Sequence, residues 1–221
     1  MASSLPDFAA ERAAMVEHQL RRRGIADAQI LDAFRTVPRE AFVDEDQRHL
    51  AYGDHPLPIA AGQTISQPYI VALMIQAAGI GPGDRVLEVG AGSGYAAAVI
   101  AQIARDVVAI ERQPALAESG RERLSRLGYP NIEIVEGDGT LGWPQAAPFD
   151  AILAAASGRH VPPPLIAQLA PGGRIVMPIG AAGDAQELVR GVMQPDGTLR
   201  LHRLAEVRFV PLIGAEGWDE R

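Results

Sequence analysis

Val86-Leu-Glu-Val-Gly-Ala-Gly-Ser-Gly-Tyr95 is the stretch that decides the fold. An apolar run of strand character, 85–89, ends in three glycines at alternate positions, Gly90, Gly92 and Gly94, and a helical pattern starts at Tyr95. Glycine has no Cβ, so its backbone can approach a ligand closely, and open α/β sheets bind small molecules at the carboxyl ends of their strands. The spacing is G-x-G-x-G. A dinucleotide fingerprint needs G-x-G-x-x-G, and Tyr95 occupies the place of the final glycine, which counts against hydride transfer.

Working outward, further strand patterns fall at 107–110, 132–135, 151–155 and 174–178, with helical patterns at 95–104, 114–127 and 163–169. Strands that are apolar throughout are buried on both faces, and β-α alternation at this spacing implies a parallel, doubly wound sheet. Towards the C-terminus, 188–193 and 199–205 flank Gln194-Pro-Asp-Gly-Thr198, which predicts a hairpin, and 207–212 reads as one more strand. Towards the N-terminus, Ser4 or Asp7 caps a helix running to about Arg23 and stopped by Gly24. Asp27 caps a second helix carrying Ile30, Leu31, Phe34 and Val37, which ends before Pro38. Residues 52–67 hold two prolines and two glycines and read as loop, after which Pro68 opens a helix to about Ala78. The expected fold is therefore α/β: a doubly wound, mostly parallel Rossmann-like sheet with an N-terminal helical segment and a C-terminal antiparallel hairpin. One domain accommodates all of it, with a helical cap and loop at 1–78, a core at 79–185 and terminal strands at 186–221.

Composition narrows the chemistry. All 20 positive side chains of the 221 residues are Arg, and both Lys and Cys are absent. Schiff-base catalysis, a phosphate loop ending in Gly-Lys-Ser/Thr, a thiolate nucleophile and a zinc ribbon are all excluded. With 37 Ala and a single Asn (Asn131), biased codon usage accounts for the absence, but the exclusions hold whatever its origin. Net charge is -7 and no basic run exceeds Arg21-Arg22-Arg23, which argues against nucleic acid as a partner. No basic segment followed by a long apolar stretch marks a signal peptide, and the apolar run 69–80 is too short to span a bilayer, so a cytoplasmic monomer without membrane contact is expected. None of the five His residues has H-x-x-x-H spacing, and no metal is expected.

The loop has acidic company. Glu88 precedes it, and Glu111, 21 residues after Gly90, stands at the end of the second core strand, where a carboxylate accepts hydrogen bonds from ribose hydroxyls. Asp138, in Gly137-Asp-Gly139 after the third strand, is placed to accept from an adenine amino group, although Asp-Gly is equally a common turn pair. Together these features resemble the S-adenosylmethionine-dependent class I methyltransferases. The candidate cofactor set is Glu88, Gly90, Gly92, Ser93, Gly94, Tyr95, Glu111, Asp138 and Gly139, and the cofactor implied is S-adenosyl-L-methionine.

Upstream of the sheet, Asp54-His-Pro-Leu-Pro-Ile59 is followed by Gly62-Gln-Thr-Ile-Ser-Gln-Pro-Tyr-Ile-Val71. This segment resembles the signature of the protein-L-isoaspartate O-methyltransferase family. Met15-Val-Glu-His-Gln-Leu20, Val37-Pro-Arg-Glu-Ala-Phe-Val43, Gln168-Leu-Ala-Pro-Gly-Gly-Arg174, Gln186-Glu-Leu188 and Val207-Arg-Phe-Val-Pro-Leu212 fit the same family, so the resemblance covers nearly the whole chain. It implies repair of damaged proteins: methyl transfer to the free α-carboxylate of an isoaspartyl residue, whose ester closes to a succinimide and reopens with another chance at normal Asp. It marks Ser66 as catalytic, with Thr64, Ile65, Gln67, Ala155 and Ser157 around the substrate. The chain departs from the pattern at Ser157-Gly158, where Pro is usual, and at Ala60-Ala61, where Gly and a larger residue are usual.

The chemistry suits these residues. A free α-carboxylate has a pKa of about 3.5 and is already an anionic nucleophile at neutral pH. Displacement at a sulfonium methyl then needs alignment, which contributes roughly 7–11 kcal/mol in well-oriented reactions. A hydroxyl at Ser66 would orient the nucleophile, since a hydrogen bond to it also stabilises its ground state. The competing role for Ser66 is N-cap of the following helix. Arg208 is a natural partner for the carboxylate and equally for a structural salt bridge. Serine hydrolysis has no support, because neither Ser66 nor Ser93 lies in G-x-S-x-G. Two other readings stay open: a carboxyl methyltransferase with a dedicated peptide substrate, and a cofactor-binding homologue without turnover.

Overall fold

Alternating side chains of one central strand build both halves of the core. In β3 (Arg85–Val89) Val86 packs with one apolar cluster while Leu87 and Val89 pack with another, on the opposite face. β4 (Asp106–Glu111) and β6 (Phe149–Ala154) are likewise buried along nearly their whole length. These apolar runs cannot face water on either side, so helices must cover both faces.

The computed structural model describes residues 7–181 and 183–219. Its seven-stranded sheet has the order β5-β4-β3-β6-β7-β8-β9, where β5 is Ile132–Glu136, β7 Leu169–Ile179, β8 Gln186–Met193 and β9 Leu199–Val207. Strands β3 to β7 pair in parallel, and β8 and β9 add antiparallel at one edge. One face is covered by α2 (Ala28–Thr36), α3 (Pro68–Ala78), α4 (Tyr95–Ala101) and α5 (Pro114–Leu127), whose buried residues share one cluster. The other carries α6 (Pro163–Ala167) and the tail residue Leu212. The doubly wound, mostly parallel sheet with a helical N-terminal segment and an antiparallel hairpin is thus the observed architecture.

Asp7 caps α1 (Phe8–Met15) by accepting from the Ala10 N–H at 3.1 Å; the alternative cap, Ser4, lies outside the described residues. The helix does not stay α-helical to Arg23: it passes into a π turn at Val16–Leu20 and a 3-10 turn at Arg21–Arg23 before Gly24 ends it at φ 93°. Asp27 caps α2 through the Gln29 N–H at 2.8 Å. The Pro/Gly loop contains a small antiparallel hairpin of β1 (Leu57–Pro58) and β2 (Thr64–Ile65).

Other element boundaries also differ from the sequence expectation. The helix at 95–104 ends as an α-helix at Ala101. That at 163–169 ends at Ala167, because Pro171 and Gly172-Gly173 cannot extend it, and Leu169 pairs with Phe149 as the start of β7. Residues 208–212 are not a strand. Pro211 has no N–H for a ladder, and the segment crosses the sheet end with a single bridge, Ser157 to Pro211.

Candidate active site

Strand order reverses at β3, which has β4 on one side and β6 on the other, so the loops leaving its carboxyl end diverge and leave a crevice. A cavity of about 630 Å³ opens there, within the roughly 300–1,000 Å³ of small-molecule sites. Three stretches of chain wall it.

The first wall is the glycine loop with the end of β4. Gly90, Gly92 and Gly94 have φ of 92°, 53° and 84°, a left-handed path that a side chain would resist. At Gly94 a Cβ would also stand 3.2 Å from Leu124 Cδ1, so that side chain of α5 would have to give by a few tenths of an ångström. Glu111 is 5% exposed; its Oε2 accepts the Gly92 N–H at 2.8 Å and its Oε1 the Gln113 N–H at 2.9 Å. Each oxygen keeps a further lone pair, so one carboxylate can brace the loop and still accept from ribose hydroxyls. Arg123 of α5 fixes the other side of the loop, donating to the Ser93 carbonyl at 2.9 Å.

Gly90, Gly92, Glu111 and Gly139 line the cavity, whereas Glu88, Ser93, Gly94, Tyr95 and Asp138 do not. Glu88 is buried behind the loop and faces the N–H of Ala97 in the first turn of α4, whose cap, Gly94, has no side chain. Burial first, and the charge of Glu111 second, push its carboxyl up from 4.5 to about 8. Its side chain therefore faces the α4 layer and not the cavity. Tyr95 lies under the loop with its ring against Phe34 and Phe42 at centroid distances of 6.1 and 5.5 Å, and burial raises its phenol to about 12. Asp138 is in the turn arrangement: Oδ1 accepts from the Thr140 N–H and hydroxyl at 2.9 and 2.7 Å, and Oδ2 from the Ala215 N–H at 2.7 Å. Its carboxylate ties down the C-terminal tail, and the neighbouring Gly139 backbone faces the cavity instead. A Cβ on Gly139 would meet Val89 Cγ1 at 2.5 Å.

The second wall is the hairpin segment with the β6 exit: Thr64, Ser66, Gln67 and Ala155 line it. The cap of α3 is Gln67, with Pro68 at the first turn and no side-chain capping bond, so Ser66 is not the N-cap. Among the described residues the Ser66 hydroxyl makes no hydrogen bond, while its carbonyl accepts from Arg39 Nη2 at 2.8 Å. Gln67 Nε2 donates to the Asp54 carbonyl and Oδ1 at 3.0 and 2.7 Å. Ile65 points into the core, and Ser157 is fully buried. The Ser157 backbone holds the tail, donating to the Val210 carbonyl at 2.8 Å and accepting from the Leu212 N–H and Trp218 Nε1, each at 2.9 Å. Ala60 and Ala61 are exposed and off the wall, as is His55, whose Nδ1 sits 3.0 Å from the Pro56 carbonyl.

The third wall is residues 206–213, where the sequence suggested a strand at 207–212, a family resemblance and, in Arg208, a partner for the carboxylate. Buried Gln186 anchors it, accepting the Phe209 N–H at 2.7 Å and donating to the Phe209 carbonyl at 3.3 Å. Arg208 is exposed, lines the cavity and makes no ion pair among the described residues. Arg39 was not singled out; it stands beside Glu40 in Val37-Pro-Arg-Glu-Ala-Phe-Val43, where no pattern separates a buried Arg from a solvated one.

Among the described residues no group of three or more His, Asp or Glu could hold a metal ion, and no helix is long and apolar enough to cross a membrane. The model of the protein-L-isoaspartate(D-aspartate) O-methyltransferase family matches residues 10–217. The chain is 56% identical over 207 residues to protein-L-isoaspartate O-methyltransferase 2 of Pelobacter propionicus, covering 94% of this chain and 92% of that one. It is 57% identical over 211 residues to protein-L-isoaspartate O-methyltransferase 1 of Rhodopseudomonas palustris, covering 96% and 86%. A solved protein-L-isoaspartate O-methyltransferase superposes with TM-score 0.85 at 31% identity, covering 93% of this chain and 67% of that one. A Plasmodium falciparum structure described as a beta-aspartate methyltransferase in complex with S-adenosyl-L-homocysteine gives TM-score 0.79 at 28% identity, covering 91% and 98%. With the glycine loop, Glu111 and the Ser66 segment around one cavity, these matches place the chain in the protein-L-isoaspartate(D-aspartate) O-methyltransferase family.

Proposed function

We propose that this chain is a single-domain, monomeric, cytoplasmic repair enzyme that transfers the methyl group of S-adenosylmethionine to the free α-carboxylate of isoaspartyl residues in damaged proteins, with neither nucleic acid nor membrane as partner. The observation that carries the reading is that Ser66, with an uncommitted hydroxyl, lines the same cavity as Gly90, Gly92 and Glu111.

The residues fit the cofactor: the glycines leave room for its backbone-hugging portion, Glu111 has lone pairs to spare, and the Gly139 backbone lies on the cavity wall, where a Cβ would push against Val89. When bound, S-adenosylmethionine supplies an electrophilic methyl carbon on a sulfonium. The protein's task is to bring an already ionised carboxylate in line with it. Arg208, at the rim and without a counter-ion, attracts the anion. The Ser66 hydroxyl donates to one carboxylate oxygen and sets its direction, leaving the other free to attack. Thr64 and Gln67 shape the substrate side, and the 206–213 wall keeps water out. No general base is required, because no proton leaves the nucleophile.

The departures at Ala60-Ala61 and Ser157 fall off the cavity wall, which supports general repair over a dedicated substrate. The test is a pair of synthetic peptides, one isoaspartyl and one with normal Asp, assayed for base-labile methyl ester. Labelling of the isoaspartyl peptide alone is expected. Equal labelling, or none, overturns the reading; S-adenosylhomocysteine binding without any labelling would make the chain a non-catalytic homologue.

A further inference from the structure

Among the described residues Arg39 has no counter-ion. It is fully buried in the 3-10 turn Arg39–Phe42, and among the described residues it forms no salt bridge. A guanidinium is expensive to bury without an anion, and an apolar side chain of similar length would fill the space more cheaply. What the guanidinium does instead is make directed contacts. Nε donates to the Ala51 carbonyl and Nη2 to the Ser66 carbonyl, each at 2.8 Å. Its Cζ lies over the Tyr95 ring, 4.7 Å from the centroid. The guanidinium and the Tyr95 hydroxyl also favour each other's charged forms, although neither Nη1 nor that hydroxyl reaches a partner in good hydrogen-bond geometry.

Those partners belong to both sides of the cavity. Ser66 is on the hairpin segment, and Tyr95 is the first residue of α4, directly after the last glycine of the loop. The Ser66 carbonyl belongs to the peptide that leads into α3, so holding it restrains that peptide plane and the position of the Ser66 Cα, from which only rotation about χ1 is left to aim the hydroxyl. We propose that Arg39 is a positioning residue: it fixes the Ser66 peptide relative to the glycine-loop helix, and thereby the substrate carboxylate relative to the cofactor methyl. This rests on the reading of Ser66 given above. A flat fork with several donors can hold two carbonyls and stack on a ring at once, whereas a lysine ammonium cannot reproduce that geometry.

The test is a double-mutant cycle of R39K and S66A on the full chain, with an isoaspartyl peptide as substrate and S-adenosylhomocysteine titrated by calorimetry. R39K is expected to lower kcat about tenfold or more while S-adenosylhomocysteine affinity stays within about threefold, because misalignment costs turnover before it costs cofactor binding. In the S66A background the same change should cost no more than about twofold, since residues that act together do not add. A merely structural role would give multiplicative losses and weaker cofactor binding as well. If R39K does not fold by circular dichroism, R39M, which removes the buried charge, takes its place in the same cycle; failure of both to fold overturns the proposal. An S66A enzyme as active as the unmodified one overturns the Ser66 reading and this proposal with it. An impaired S66A enzyme whose loss multiplies fully with that of R39K overturns the positioning role alone.

Discussion

The two sides of the cavity are built differently. The cofactor side, 89–95 and 110–113, consists of strand ends and the turns that leave them, and its bonds run between near neighbours in the sheet: the Gly90 and Ala91 N–H groups donate to the Ile110 carbonyl at 2.9 and 3.0 Å, and Glu111 braces Gly92. The substrate side gathers three distant segments. A hairpin of two-residue strands, the β6 exit and the 206–213 tail are held by side chains reaching to backbone, such as Arg39 to Ser66 and Gln186 to Phe209, and by the backbone bonds of Ser157 to Val210 and Leu212. The first is rigid because the sheet makes it so. The second depends on a few named contacts, and should be easier to perturb without unfolding the chain.

The sharpest break on the cofactor side is Glu111→Ala. Two backbone N–H groups lose a charged acceptor, and each such bond contributes about 1.5–3 kcal/mol when buried. We expect S-adenosylhomocysteine affinity to fall about 100-fold or more, equivalent to roughly 3 kcal/mol, with a lower midpoint of thermal unfolding. Calorimetry showing unchanged affinity would remove Glu111 from the site. Glu88, behind the same loop, gives a pH signature instead. Its carboxyl titrates near 8 in the folded chain against 4.5 ordinarily, so the native state holds a proton that the unfolded state has released. The stability this confers is complete below about 4.5 and is lost as pH rises through about 8, at up to about 1.4 kcal/mol per pH unit. Glu88→Gln has no proton to lose. Denaturant unfolding at pH 5, 7 and 9 should therefore show the unmodified chain losing a few kcal/mol relative to the variant; parallel profiles would mean that Glu88 is ionised throughout.

On the substrate side, Ser66→Ala should lower turnover by about 10- to 100-fold, since one orienting donor contributes on the order of 2 kcal/mol, with little change in cofactor affinity or melting temperature. Steady-state rates with an isoaspartyl peptide, set beside calorimetry, decide this. A parallel loss of cofactor binding would mean the two walls are not separable.

The same contrast explains what the sequence disclosed. Strands 85–89 and 107–110 were readable because a run buried on both faces has no alternative pattern, and Gly90, Gly92 and Glu111 are fixed by where those strands stop. Glu88 and Asp138 are in the right stretch but face elsewhere. Strand alternation turns Glu88 into the α4 layer, and Asp138 is claimed by Thr140 and Ala215, the latter 77 residues away. Ser66 was legible only through family resemblance, because no periodicity marks a serine whose hydroxyl is left free. Residues 207–212 of the third wall read as a strand, but only Val207 belongs to one, and Pro211 has no N–H for a ladder. The course of this wall is set by Gln186 and Ser157, polar side chain and backbone contacts that leave no trace in a hydrophobic pattern.

The smallest effect lies at the turn of the hairpin. Ala61 has φ 57° and ψ 26°, the only positive φ at a non-glycine residue among those described. An L-residue pays about 1–2 kcal/mol in the left-handed region, and a glycine there offsets part of the relief through the greater freedom of its unfolded chain, about 0.4–1 kcal/mol. Ala61→Gly should thus stabilise the protein by about 0.5 kcal/mol, a rise of about 1–2 °C in Tm for a chain of this size. Because Ala61 is exposed and off the cavity wall, turnover should stay within about twofold if the Arg39 bond holds Ser66 in place regardless of the turn. A variant that melts higher but turns over much more slowly would show that the strained turn, and not Arg39, sets the position of Ser66.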